Sequence, residues 1–125
     1  MDKLDCISLG GCTPPCEVKD MDAAFLEKLL FAQKMCGKKF LINSAYRSLA
    51  HEKKMGRNGR SSHCKGLAVD IATGTHDQRL YIVASLLLAG FRRIGVARTF
   101  IHVDDDPDKV TSMWLYYPED VNKTF

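Results

Sequence analysis

No stretch of this chain approaches the ~20 consecutive apolar residues that a membrane-spanning helix needs. The longest apolar candidate, residues 81–89, is about half that length, so no membrane span is expected. The opening Met1-Asp2-Lys3-Leu4-Asp5-Cys6 lacks a basic region followed by an apolar run, and no signal peptide is expected either. Synthesis and retention in the cytosol follow as the expectation, unless the chain is a processed fragment or escapes by lysis. Charge of one sign is also scarce. With 18 Lys and Arg against 15 Asp and Glu, the net charge of +3 falls short of a dedicated nucleic-acid binder. The one dense basic run, Lys53, Lys54, Arg57, Arg60 and Lys65, is broken by Met55, Gly56 and Gly59. It reads either as a solvated loop or as a rim that attracts an anionic polymer. Internal repeats, low-complexity segments and coiled-coil heptads are absent, and a monomer is the default expectation.

Cysteines are few and odd in number: Cys6, Cys12, Cys16, Cys36 and Cys64. Without an export signal, reduced thiols are expected. Cys12 and Cys16 bracket Thr13-Pro14-Pro15 and resemble a zinc clip, but no second soft-ligand pair is spaced to complete a closed site.

The chain is long enough for one domain, spanning residues 1–125, with one core and one cleft. Its 46% hydrophobic and 26% charged residues exclude the disordered class. Gly10, Gly11, Pro14 and Pro15 mark residues 1–19 as an irregular arm. Asp20 is a candidate N-cap for a helix carrying Phe25, Leu26, Leu29, Leu30, Ala32 and Met35 at helical spacing, with Gly37 as its stop. Residues 40–42 suit a short strand, residues 49–55 a short helix, and residues 56–62 a polar loop. Residues 67–72 read as a buried strand with one polar intrusion, Asp70. Thr75 and Gln78 form a capping box that opens an amphipathic helix closed by Gly90. Further strands are expected at 91–96, 99–103 and 112–117. This mixture without regular βαβ alternation predicts an α+β fold with a mainly antiparallel sheet and flanking helices.

The chemistry concentrates in two segments. In Ser61-Ser62-His63-Cys64-Lys65-Gly66-Leu67-Ala68-Val69-Asp70, a histidine and a carboxylate enter an otherwise apolar strand. A buried Asp70 needs compensation for its lost hydration, which a metal cation or an Arg or Lys partner would supply. In Thr99-Phe100-Ile101-His102-Val103-Asp104, alternation puts His102 and Asp104 on one strand face with Phe100, and Ile101 with Val103 on the other. A lone histidine there would be a hydrogen-bonded core residue more often than a ligand. Two histidines and one aspartate on sheet elements leave a fourth tetrahedral position open, the pattern of a catalytic zinc.

Ser61-x-His63-x-x-Gly66-x-Ala68-x-Asp70 followed by Phe100-Ile101-His102-Val103-Asp104 resembles the zinc D-alanyl-D-alanine carboxypeptidases, a family that includes the phage L-alanyl-D-glutamate endopeptidases. Upstream, Ser44-Ala45-Tyr46-Arg47-Ser48 is similar to the family's Ser-Gly-Tyr-Arg-Ser block, and Gly56 falls where a glycine is usual. The resemblance covers residues 40–104, about half the chain, with its three blocks in order. It implies a single zinc held by His63, Asp70 and His102, with Arg47 reaching the substrate. It also implies hydrolysis of D-amino-acid-containing stem peptides of peptidoglycan, and a phage-type lysin made without a leader is one form this would take. Hedgehog signalling domains share this fold and a similar zinc site yet act as protein ligands. A non-catalytic zinc-containing module that binds a peptide or protein is therefore the alternative.

The general base is open at this level. Many family members carry an acid three residues before the last histidine ligand, and here that position is Thr99. Asp104, on the same strand face as His102, is the leading candidate. Its rival role is to orient His102 from behind, and a third reading turns it toward solvent with Asp105 and Asp106 in a strand-ending turn. Arg47 could hold a peptide carboxylate or a developing oxyanion through its fork of donors, or serve as a structural ion pair. His51 is the next candidate base, or else part of a solvated helix face. Trp114, Tyr116 and Tyr117 are read as sheet packing or as an aromatic wall for substrate.

Overall fold

The computed structural model describes residues 21–44 and 65–116. The irregular arm, the expected short helix at 49–55 and the basic loop lie outside the described residues. So do Arg47, His51, His63, Tyr117 and every cysteine except Cys36, which is a free thiol.

Helix α1, Ala23–Cys36, begins two residues later than the sequence suggests. Asp22 is its cap, not Asp20. The Asp22 carboxylate accepts the Phe25 N–H at 2.8 Å, satisfying one of the donors that a helix start leaves open. Phe25, Leu26, Leu29 and Ala32 form the buried stripe. Gly37 ends the helix at φ 80°, a left-handed conformation that disfavours other side chains, and its N–H returns to the Gln33 carbonyl. The Gln33 side chain then accepts the Phe40 N–H at 2.8 Å and leads the chain into β1, Ile42–Ser44. This strand starts two residues late because Phe40 is spent as a core plug, 1% exposed.

β2 spans Ala68–Ala72 and is followed by α2, His76–Leu88. Thr75 caps α2 as expected, accepting the Gln78 N–H. The Gln78 side chain, however, accepts from the Gly74 N–H at 2.7 Å, so the reciprocal half of the box slides back one residue. β3 (Arg93–Val96), β4 (Phe100–Asp104) and β5 (Ser112–Leu115) complete the fold.

The five strands form one sheet in the order β1-β2-β4-β3-β5. β1–β2, β2–β4 and β3–β4 pair antiparallel, while β3 and β5 pair parallel. The expectation of an α+β fold with a mainly antiparallel sheet holds, with one parallel pairing at the β5 edge.

Alternation along the strands then sorts the side chains. Val69, Ile71, Ile94, Ile101 and Val103 join Phe25, Leu26, Leu29, Ile82, Leu86 and Phe91 from the helical side in one core. Phe25 and Phe91 meet edge-on, with ring centroids 5.6 Å apart. The opposite face carries a transverse row set by register: Asp70 beside His102, His102 beside Gly95, Gly95 beside Trp114. The polar residues of β2 and β4 are thus brought together on the face away from the helices.

Candidate metal centre

Asp70 and His102 are cross-strand neighbours, and their side chains meet, Asp70 Oδ1 to His102 Nδ1 at 2.9 Å. The other ring nitrogen, Nε2, lies 2.7 Å from Asp104 Oδ2. That contact requires His102 and Asp104 to share a strand face, as their i, i+2 spacing predicts. His102 is 1% exposed and Asp104 fully buried, whereas the Asp70 side chain keeps 15% of its surface open. The pair therefore opens toward solvent on the Asp70 side only.

Buried carboxylates need partners, and Asp104 has several. Its Oδ1 accepts from Arg93 Nε at 2.7 Å and from the Asp106 N–H at 3.1 Å. Arg93 also donates to the Val110 carbonyl, and its guanidinium lies 4.8 Å from the centroid of the Trp114 ring. The Trp114 ring in turn packs 5.5 Å from the His102 imidazole. Burial works to lower the His102 pKa, but hydrogen bonds and charge from Asp104 and Asp70 overcome it, and the net shift is upward. For Asp104, burial pushes the other way from its partners. His102 and Arg93 prevail and hold its carboxyl below the ordinary value.

Asp106, which the sequence places in a turn facing solvent, is instead 2% exposed. Its carboxylate takes Lys65 Nζ at 2.8 and 3.0 Å, and Lys65 also reaches Asp108 at 2.8 Å. These two acids, Asp106 first, raise the Lys65 pKa.

Of the five residues singled out in sequence, the structure brings Asp70, His102 and Asp104 together. His63 and Arg47 lie outside the described residues. Among the described residues no group of three or more His, Cys, Asp or Glu is arranged to hold a metal ion by itself. The sequence reading missed Arg93, Lys65 and Asp106 as supports. Strand alternation is a usable signal for Arg93, two positions before Gly95 on the same face. Nothing local marks Asp106.

The profile of the peptidase M15 family matches residues 6–104. The chain belongs to the peptidase M15 family. A search of curated proteins gives no match. Peptidase M15 enzymes are zinc-dependent, and the described residues fit such an ion in two respects. Asp70 Oδ1 and His102 Nδ1, 2.9 Å apart at the open edge of the pair, are an oxygen and a nitrogen of the types zinc binds. His102 Nε2 is already committed to a carboxylate, the outer support that metal-bound imidazoles carry in proteins. The match also takes in Arg93 and Gly95, so the M15 portion of this chain includes the support as well as the two described donors.

Proposed function

We propose that this M15 peptidase hydrolyses D-amino-acid-containing peptide bonds of peptidoglycan, with one zinc held by His63, Asp70 and His102. The observation that carries this reading is the His102 imidazole, fixed between the Asp70 carboxylate on its open side and the Asp104 carboxylate on its buried side. His63 joins the set from the sequence pattern that ends at Asp70. Bound there, zinc would supply a Lewis acid for the scissile carbonyl and lower the pKa of water toward about 7.

The chain's own residues divide the remaining work. Asp104 positions His102: both of its oxygens are taken by His102, Arg93 and the Asp106 N–H, and it is fully buried. A carboxylate so committed suits orientation better than proton transfer, and this proposal moves the general base away from Asp104, with His51 as the first residue to test. Arg47 is proposed to hold a substrate carboxylate. Trp114 packs against His102, Tyr116 against Trp114 and Phe100 against Tyr116, and this row is proposed as a wall for the stem peptide. Phe100 and Tyr116 have ring centroids 5.2 Å apart. We further propose a monomer that reaches the wall after lysis.

The test is incubation of purified protein with bacterial sacculi, with and without chelator, followed by mass spectrometry of released fragments. Chelator-sensitive release of stem-peptide fragments is expected, and their ends identify the bond. Zinc bound at one equivalent with no released fragment would instead favour the non-catalytic binding module. The ligand set has its own check. His63→Ala should lose zinc and, because metal binding is coupled to folding, stability as well. Full zinc occupancy in that variant refutes the assignment.

A further inference from the structure

We propose that Asp106 is a positioning residue that locks the two histidine-bearing segments of the zinc site to one another. This rests on the proposed ligand set. One side of the link is the backbone of Asp106: its N–H donates to Asp104 Oδ1 at 3.1 Å, and Asp104 Oδ2 holds His102 Nε2 at 2.7 Å. The other side is its carboxylate, which receives Lys65 Nζ at 2.8 and 3.0 Å. Lys65 stands two residues after His63, so their Cα atoms lie within about 7 Å of each other whatever path the chain takes. Asp106 thus touches the support of one proposed ligand and the near neighbour of another.

The burial of Asp106 is what makes the link selective. Its side chain has no exposed surface, and a buried carboxylate is costly unless charged and N–H donors surround it. Lys65 and the Asp108 N–H, at 3.0 Å, supply donors directly, and Lys109 Nζ stands 3.7 Å away. Lys65, about one-third exposed, is free to choose solvent, yet it is drawn inward to this carboxylate. Backbone bonds seat the same stretch. The Asp105 N–H donates to the Leu67 carbonyl at 3.0 Å, and the Asp22 N–H donates to the Gly66 carbonyl at 2.9 Å. Gly66 makes the turn between Lys65 and β2 at φ 70°, a conformation that favours glycine. The segment after His63 is therefore anchored at three consecutive residues, and two of those anchors come from residues 105 and 106. Such anchoring fixes ligand spacing before the metal arrives, reducing the ordering that binding must impose.

The experiment measures zinc affinity by competition with a chromophoric chelator for the parent chain and for Asp106→Asn, Lys65→Met, Lys65→Arg and the Asp106→Asn/Lys65→Met double variant. Melting of the metal-free proteins is followed alongside. Asp106→Asn and Lys65→Met should each weaken zinc binding by ~10–100-fold, the range typical of outer supports. The double variant should be no weaker than the worse single one, because both changes cut the same link. Lys65→Arg, which keeps the charge, should bind zinc within about threefold of the parent. Should Asp106→Asn fail to fold, the two Lys65 variants decide. A purely structural role predicts a lower metal-free melting temperature with zinc affinity unchanged. That result, or fully additive losses in the double variant, overturns the proposal. His63→Ala separates this from failure of the ligand set. Zinc retained there refutes the set itself, whereas zinc lost there but retained in Lys65→Met refutes only the link.

Discussion

Gly95 lies in β3 between His102 and Trp114, and its lack of a side chain is what lets the indole cover the sheet there. A Cβ added at this position would stand 2.5 Å from Trp114 Nε1, 2.6 Å from Trp114 Cε2 and 2.7 Å from Tyr116 Cε2. Comfortable contact between such atoms needs about 3.5–4.0 Å, so the rigid Trp114 and Tyr116 rings must swing away as whole units. The backbone is not the obstacle, because Gly95 is absent from the positive-φ glycines, which are Gly37, Gly66 and Gly90. The whole cost of Gly95→Ala is therefore steric and amounts to about 1–3 kcal/mol, the usual range for overpacking. At ~4 °C or more per kcal/mol for a domain of this size, the melting temperature should fall by at least about 4 °C. The perturbation has its own reporter, since Trp114 is the chain's only tryptophan. Its emission should shift as the indole leaves the Arg93 guanidinium and the His102 ring, and the metal-free protein suffices for the measurement. An unchanged melting temperature together with an unchanged emission spectrum would refute the packing of Trp114 over Gly95.

Arg93→Met removes the cation from a buried pair and leaves the Asp104 carboxylate with only His102 and the Asp106 N–H as hydrogen-bond partners. Urea unfolding should show a loss of about 3–5 kcal/mol, and a loss below about 1 kcal/mol would mean that Asp104 does not depend on Arg93. Arg47→Ala should lower kcat/KM by ~tenfold or more while leaving the melting temperature nearly unchanged, as expected of a residue that meets substrate charge. Equal activity in that variant, or a collapse of stability, would make Arg47 structural. Asp77 has its carboxyl pKa lowered, chiefly by the Thr75 hydroxyl that donates to it. Because the folded value is depressed, its contribution to stability is present above the unfolded pKa and is lost as pH falls through the folded one. NMR titration of Thr75→Ala should find the Asp77 pKa moved up toward the ordinary value, and no movement would exclude the hydroxyl as its cause.

Local pattern was enough for the type of each described element. The apolar stripe of α1, the Thr75 cap of α2 and the alternation of β4 depend on neighbours within one or two turns of chain, where spacing dictates which side chains share a face. The proposed ligands Asp70 and His102 were legible for the same reason, as polar intrusions in apolar strands. Element ends were less so. The cap moved from Asp20 to Asp22 and β1 from residue 40 to residue 42, because Phe40 was drawn into a core that only tertiary packing creates.

Which role the residues around His102 take was decided by tertiary structure. Sequence spacing allowed Asp104 to be a base, an orienter or a solvent-facing turn residue. The sheet order sets β3 against β4 and brings Arg93 to Asp104, while the loop after β4 carries the Asp106 N–H to the same carboxylate. By sequence Asp106 belongs with Asp104 and Asp105 to a strand-ending turn open to solvent, whereas in the fold Lys65, 41 positions away, lies across from it. Contacts at that separation are set by how strands pair and which face the helices cover, and no periodicity within a segment encodes them. Asp70 and His102 were written locally as polar residues in two apolar strands, but the Arg93 charge behind Asp104 was assigned only when the sheet closed.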